Sequence, residues 1–228
     1  MKEILSYIPK VMQAFPLTMG ILGLSFLISI VLGALIAIGS LGKNKALAAF
    51  CRGYISFVRG IPTLVLIFLI YLGLPQIMSS FGVSMKGVSK FTYIVVTLGI
   101  SFSANMAEMM RTSYLAVDKG QLEAAYSVGM KYGTAFKRII FPQAFGIAIP
   151  TLGNNIIMMF KNTSLGFTVG LLDLLGKARA ISAATYGANR LQVYVAAGLI
   201  FWAICVILEQ VFKYAERFYT KGRKRATS

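Results

Sequence analysis

Few side chains in this sequence could perform covalent chemistry. Its 228 residues include no histidine and only seven carboxylates, and the two cysteines are Cys51 and Cys205. These numbers exclude a Ser-His-Asp hydrolase and a histidine-ligated metal site, and two cysteines cannot supply a four-cysteine zinc site. We therefore predict no catalytic residue and no metal site, and we expect that the chain is not an enzyme.

One string looks like a nucleotide-binding loop but departs from it in two ways. A phosphate-binding loop needs four residues between its glycines and a hydroxyl side chain after its lysine. Here one residue too many separates Gly170 from Gly176, and Ala178 follows Lys177. Because the hydroxyl that would hold magnesium is missing, we expect no ATP hydrolysis and no cofactor bound by this chain.

Polar side chains inside long apolar runs are the candidates for a polar path. Such groups are costly within a membrane and are often functional. Lys161 could bind a carboxylate, although a lysine that extends to the interface is an equal alternative. For Asn105 and Asn154 the alternative is a hydrogen bond between helices. Glu108 is expected to pair with Arg111, three residues later on the same helix. The path candidates are Asn105, Asn154, Lys161, Asn162, Thr163 and Ser164.

The long segment 114–141 carries the pattern of a short helix. Its apolar residues recur at helical spacing between Gly120, which is expected to precede the helix, and Gly129, which suits a left-handed stop. Ala124 and Ala125 have little side-chain bulk, so that another surface could approach closely. A solvated loop helix without a partner is the alternative.

Composition indicates what positions these residues. Hydrophobic residues make up 57% of the chain and charged residues 13%, beyond the averages of soluble domains in both respects. Uncharged runs long enough to cross a bilayer predict an all-α integral membrane protein with about five transmembrane helices in one domain, 1–228. The segment 162–172 is too short to span, and we expect a re-entrant or interfacial segment or a buried helix. Pro150, within span four, frees a backbone carbonyl and could break that helix near a cavity. The predicted spans are 15–39, 61–80, 91–113, 142–161 and 191–213.

The distribution of charge predicts the orientation. The net charge is +16, and Lys and Arg are more frequent in the segments that follow spans one, three and five. Because cytoplasmic loops carry the excess of basic residues, we expect the N-terminus outside and the C-terminus and the loop 114–141 in the cytoplasm. The basic tail 221–225 is expected to contact anionic lipid, and no nucleic-acid partner is predicted.

Several positions of the loop follow one fixed spacing. They are Glu123, Ala124, Ala125, Gly129, Ile139 and Pro142. This pattern resembles the EAA motif of bacterial ATP-binding-cassette (ABC) importer permeases, Glu-Ala-Ala-x3-Gly-x9-Ile-x-Leu-Pro, with Phe141 in place of leucine.

The resemblance extends over most of the chain. Phe57–Thr63 is similar to the FRGTP segment of polar amino acid uptake permeases, and Lys161–Leu165 is similar to their KDTSL segment, with Asn162 in place of aspartate. Within that subgroup the closest general likeness is to cystine-type permeases. Loss of the aspartate argues against arginine or lysine as the substrate.

The resemblance implies a permease subunit of an importer in the bacterial cytoplasmic membrane, for a polar amino acid such as cystine or a related sulfur compound. It implies a second permease chain, an ATP-binding-cassette subunit that binds ATP and Mg, and an extracytoplasmic amino acid binding protein. The loop helix would be the coupling helix, and a mid-membrane path would open alternately to each side. The alternative is a passive channel or pore. The residues implied in ATPase coupling are Gly120, Gln121, Glu123, Ala124, Ala125 and Gly129.

Overall fold

The structure, a computed structural model, describes residues 2–221, and in this part of the chain all regular structure is helical. The predicted lipid contact of the basic tail falls mostly outside the described residues. Continuous helices alternate with short irregular links. The α-helices are α1 (Lys2–Met12), α2 (Phe15–Leu41), α3 (Lys45–Gly60), α4 (Thr63–Phe68), α5 (Leu74–Ser80), α6 (Lys90–Leu115), α7 (Lys119–Ser127), α8 (Tyr132–Ala135), α9 (Phe141–Thr163), α10 (Leu174–Ala184) and α11 (Arg190–Lys221).

Two of the links are wide helical turns. A π-helical turn, Leu69–Gly73, joins α4 to α5, so that Thr63–Ser80 forms one rod. A second π-helical turn, Phe136–Ile140, joins α8 to α9. A 3₁₀ turn, Ser164–Val169, follows α9.

Four helices in the described residues are long and apolar enough to cross a membrane. They are Phe15–Leu41, Thr63–Ser80, Lys90–Leu115 and Arg190–Tyr219, and they correspond to predicted spans one, two, three and five. The predicted fourth span falls on α9, which has 23 residues but is not among these four. Its mean hydropathy is lowered by the polar side chains of Asn154, Asn155 and Lys161.

The parallel pair α2 and α6 forms the centre of the bundle. The face of α2 that meets α6 carries small residues, and Ser25 Oγ donates a hydrogen bond to the Val95 carbonyl at 3.1 Å. A side-chain carbon at Gly33 would lie 2.7 Å from Met106 Cβ, and one at Gly99 would lie 2.6 Å from Ile28 Cγ2. Small residues thus allow the two backbones to approach closely, as is typical of helix pairs in membranes. The opposite face of α2 exposes Leu24, Leu27, Val31, Leu35 and Ile38.

A second layer forms at the end of the bundle where α11 begins. Tyr7 and Val11 of α1 and Leu174 of α10 pack with Val193 and Ala197 of α11. Neither α1 nor α10 was expected from uncharged runs, because each carries charged residues and is too short to span. The segment 162–172 divides into the end of α9, the 3₁₀ turn and the link to α10.

Helix α3 was also missed, and the reason is its amphipathic character. Ala48, Cys51, Ile55 and Val58 are buried at helical spacing against the bundle, whereas Arg52 is on the exposed side. The basic residues of this helix interrupt any uncharged run. Thr63, at the start of the next rod, lies beside Ser101 of α6, with the two hydroxyl oxygens 3.2 Å apart.

Two details of the sequence prediction require correction. Gly120 lies in the first turn of α7 and does not precede it, because the Asp118 side chain caps the helix one residue before Lys119. Pro150 does not interrupt α9, which continues from Phe141 to Thr163.

The close contact at Gly33 gives a test of the α2–α6 pair. We expect Gly33→Val to lower the melting temperature of the purified chain in detergent, because overpacking of a tight contact typically costs about 1–3 kcal/mol. Gly23→Val is the matched control on the same helix, since no atom lies within 4 Å of a side-chain carbon at Gly23. Equal melting temperatures for the two variants would contradict the close packing.

Candidate functional site

Helix α7 is fixed at both ends by its own capping interactions. Asp118 Oδ1 accepts a hydrogen bond from the Gly120 amide at 2.7 Å. At the other end Gly129 has φ +77°, as predicted for a left-handed stop, and the Met130 amide donates to the Ala125 carbonyl at 3.0 Å. This is a Schellman arrangement, which satisfies carbonyl groups that a helix end leaves free. The helix is therefore defined by local sequence.

Helix α7 has one buried side and one exposed side. Ala125 is 2% exposed and packs toward α8 and the π-helical turn that follows it. The exposed side, which we call the docking face, combines one carboxylate with apolar groups, and Val128 is 71% exposed. The docking face consists of Gln121, Glu123, Ala124, Tyr126 and Val128.

Polar and aromatic contacts connect α7 and its loop to the long helices. Gln143 of α9 donates through Nε2 to Gln121 Oε1 at 3.3 Å and to the Ile139 carbonyl at 3.1 Å. The hydroxyl oxygens of Tyr114 and Tyr132 are 3.5 Å apart, and this contact raises the pKa of Tyr132 above its ordinary value. A displacement of α7 would thus reach both α6 and α9.

The predicted pair on α6 is confirmed. Arg111 donates through Nε to Glu108 Oε2 at 3.0 Å and through Nη2 to Oε1 at 2.8 Å. Because the pair uses both carboxylate oxygens, it has the fixed geometry of a bidentate contact. Both oxygens of the Glu108 carboxylate are therefore bound by Arg111 of the same helix.

The six path candidates differ in what their side chains contact. Asn154 and Lys161 are exposed on one side of α9, and Asn105 is half-buried on α6. Asn162 Nδ2 donates to the Met158 carbonyl at 2.8 Å. Thr163 is fully buried and donates to the Phe160 carbonyl at 2.7 Å, and Ser164 donates to the Lys161 carbonyl at 2.6 Å. The structure therefore leaves Asn154 and Lys161 accessible, whereas Thr163 faces the protein interior.

Asp173 was not among the predicted site residues. This residue is fully buried and caps α10, because its carboxylate accepts from the Gly176 amide at 3.1 Å and from the Leu175 amide at 3.3 Å. The Leu174 amide donates instead to Thr18 Oγ1 of α2 at 3.1 Å. Burial raises the pKa of Asp173 to about 7, although the backbone donors act in the opposite direction. The sequence signal for this helix cap was an aspartate three residues before a glycine in an apolar segment.

No group of three or more metal-ligating residues occurs in the part of the chain that the structure describes. The exposed groups of the docking face and of α9 are suited to noncovalent contacts.

The sequence is similar to one protein family and to several transport proteins. Residues 29–221 match the family described as "Binding-protein-dependent transport system inner membrane component". The L-cystine transport system permease protein TcyL of Bacillus subtilis (strain 168) is 35% identical over 225 residues, which are 99% of this chain and 93% of the relative. The probable amino-acid ABC transporter permease protein PatM of Vibrio harveyi is 35% identical, with 97% and 96% of the two chains covered.

A solved structure shows the same similarity in three dimensions. A chain of an amino acid ABC transporter, crystallised with histidines, superposes with a TM-score of 0.82 and 31% identity, covering 93% of this chain and 95% of that chain. The helical arrangement described above is therefore found in a solved transporter chain.

The buried carboxylate gives a prediction for stability against pH. Because the folded state raises the pKa of Asp173 from 3.8 to about 7, it favours the protonated form. The resulting stabilisation is complete below the unfolded pKa and is lost as the pH rises through the folded pKa. We expect the melting temperature of the purified chain to fall between about pH 4 and pH 8.

The asparagine variant isolates this contribution. Asp173→Asn keeps a capping side chain without a charge, so its melting temperature should lack this part of the pH dependence. Asp173→Ala should be less stable at every pH, because loss of a cap costs about 0.5–2 kcal/mol. Identical pH profiles for the natural chain and Asp173→Asn would contradict the assignment.

Proposed function

The chain belongs to the family of binding-protein-dependent transport system inner membrane components, and we propose that it is the permease subunit of an ABC importer for a polar amino acid. It is an integral membrane protein, with relatives that are amino acid permeases and with helices apolar enough to span a bilayer. The observation that carries the proposal is the preformed helix α7, which carries the Glu-Ala-Ala-x3-Gly pattern, with Glu123 and Ala124 exposed and Ala125 buried.

The docking face of α7 is the proposed contact for a separate ATPase subunit. Glu123 supplies one charge for orientation, and Ala124 leaves room for a close approach. Gly120 and Gln121 lie in the first turn, and Gly129 holds the end of the helix in place. ATP and Mg would bind to that partner, and its closure would move α7 together with α6 and α9. The permease itself would not be an enzyme.

A second permease chain is the proposed partner of the polar side of α9. Asn154 is exposed near the middle of this helix, and Lys161 is exposed near its end. Polar groups within a membrane face a protein interior or a water-filled cavity, because lipid cannot satisfy them. We therefore count α9 as the fourth of five spans, with Asn154 and Lys161 facing a path between two permease chains. Asn105 on α6 would belong to the same path.

The proposed substrate carries a carboxylate, which Lys161 would bind. Asn162, Thr163 and Ser164 would shape the turn after Lys161, because their side chains bind carbonyls of the preceding turn. Asn162 in place of an acidic residue favours a neutral amino acid over a cationic one. Cystine is the proposed candidate, and the similarity to the cystine permease TcyL supports it. An extracytoplasmic binding protein would deliver the substrate.

The proposed topology follows from the two ends of the bundle. The loop 114–141 would lie in the cytoplasm of a bacterial cell, with the N-terminus outside and the C-terminus inside, in one domain. The start of α11 lies at the other end, beside α1. A passive pore is disfavoured, because the family and the preformed docking helix both indicate an ATP-driven partner.

The docking face can be tested by charge reversal. We expect Glu123→Arg combined with Gly129→Val to abolish co-purification of a P-loop ATPase from native membranes, and with it ATP-driven uptake. Glu3→Arg is the matched control, because Glu3 is an exposed carboxylate of α1 at the opposite end of the bundle. Retention of the ATPase by the double variant would remove the basis of this assignment.

The role of Lys161 can be tested by transport kinetics. We expect Lys161→Gln to raise the KM for amino acid uptake by about tenfold, because a hydrogen bond to a charged group contributes about 1.5–3 kcal/mol. The amount of co-purified ATPase should not change. Lys86→Gln, at an exposed lysine in the link before α6, should leave the KM unaltered. An unchanged KM in Lys161→Gln would exclude the lysine from substrate binding.

A further inference from the structure

A continuous series of aromatic rings leads from the loop of α7 to the last helix. We call it the aromatic chain, and it consists of Tyr132, Phe136, Phe141, Phe145 and Tyr219. The ring centroids of successive members lie 6.0, 6.2, 6.0 and 5.4 Å apart. These separations are within the range in which aromatic rings attract one another. The aromatic chain therefore connects α8, the second π-helical turn, α9 and α11.

Within the aromatic chain, Phe136 contacts rings on the largest number of helices. Its ring also lies 6.3 Å from that of Tyr114, near the end of α6. Phe136 begins the π-helical turn directly after Ala135, which is fully buried, and the buried Ala125 of α7 packs toward the same region. A displacement of α7 would therefore press on the element that carries Phe136.

Helix α9 contacts α11 at the far end of the aromatic chain and packs closely against it further along. A side-chain carbon at Gly146 would lie 4.0 Å from Tyr219 Cδ1. Further along, a side-chain carbon at Gly153 would lie 2.7 Å from Phe212 Cγ. An ordinary contact at Gly146 and a tight contact at Gly153 therefore join the two helices at two levels.

We propose that the aromatic chain makes α9 and α11 move as a single body when the coupling helix is displaced. This inference rests on the proposed function, because it concerns how the ATPase drives transport. Phe145 and Tyr219 are then positioning residues: they contact neither substrate nor ATPase, and they carry the displacement of the loop to α11. Without them α9 and α11 would be joined mainly further along, at Gly153 and Phe212, away from the coupling helix.

Transport efficiency in the complete reconstituted transporter tests this assignment. We expect Tyr219→Leu and Phe145→Leu each to lower the number of substrate molecules imported per ATP hydrolysed. A decrease of about fivefold corresponds to the loss of one contact between two aromatic rings. The amount of bound ATPase and the KM should stay unchanged. The double variant should be no worse than either single variant, because both remove the same contact. Tyr219→Phe keeps the ring and should therefore keep the natural ratio of substrate imported to ATP hydrolysed.

Phe218→Leu is the matched control. The Phe218 ring is 71% exposed and contacts Tyr219 at 6.0 Å between centroids, but it is not a member of the chain to Phe145. We expect it to keep the natural ratio of import to hydrolysis. A loss equal to that of Tyr219→Leu, or full efficiency in Tyr219→Leu, would overturn the proposal.

A second measurement does not depend on the ATPase. In a chain with Cys51 and Cys205 replaced by serine, spin labels would be placed at Thr151 of α9 and Val211 of α11, both exposed. In lipid nanodiscs we expect one narrow distance distribution, which should broaden with Tyr219→Leu but not with Phe218→Leu. An unbroadened distribution in Tyr219→Leu would overturn the inference, whereas failure of the natural chain to bind an ATPase would overturn the proposed function.

Discussion

The close approach of α2 and α6 is the constraint on which the rest of the structure depends. Gly33 and Gly99 permit a backbone separation that a side chain at either position would prevent. Apolar surface gives no net drive for helices to associate in lipid, so contact must come from packing and hydrogen bonds. With the small residues of α2 turned inward, the side chains from Leu24 to Ile38 on its opposite face are exposed. The helices α3, α4 and α9 then pack on α6, which positions the functional surfaces at both ends.

The sequence was sufficient to predict what depends on length and local pattern. Four of the five predicted spans fall on helices apolar enough to cross a membrane, because an uncharged run of that length has few alternatives. The end of α7 at Gly129 and the pair Glu108–Arg111 were predicted because each depends on residues within one or two turns.

What depends on tertiary packing was not predictable in the same way. The amphipathic helix α3 carries basic residues on its exposed side, so a search for uncharged runs passed over it. Asp173 became evident only through its burial, which requires α2 and α10 to meet. For the path candidates, the sequence identified polar residues but not their orientation, since Thr163 turns inward and Asn154 turns outward on the same helix.

The capping of α7 at both ends has a consequence for affinity. Its nine residues are ordered by Asp118 and Gly129 before any partner arrives. Fixing a backbone residue costs about 1–2 kcal/mol in conformational entropy, so a disordered loop of this length would lose on the order of 10 kcal/mol upon association. A preorganised helix avoids that loss. The proposed ATPase could therefore be retained by a small contact area through repeated cycles of opening and closing.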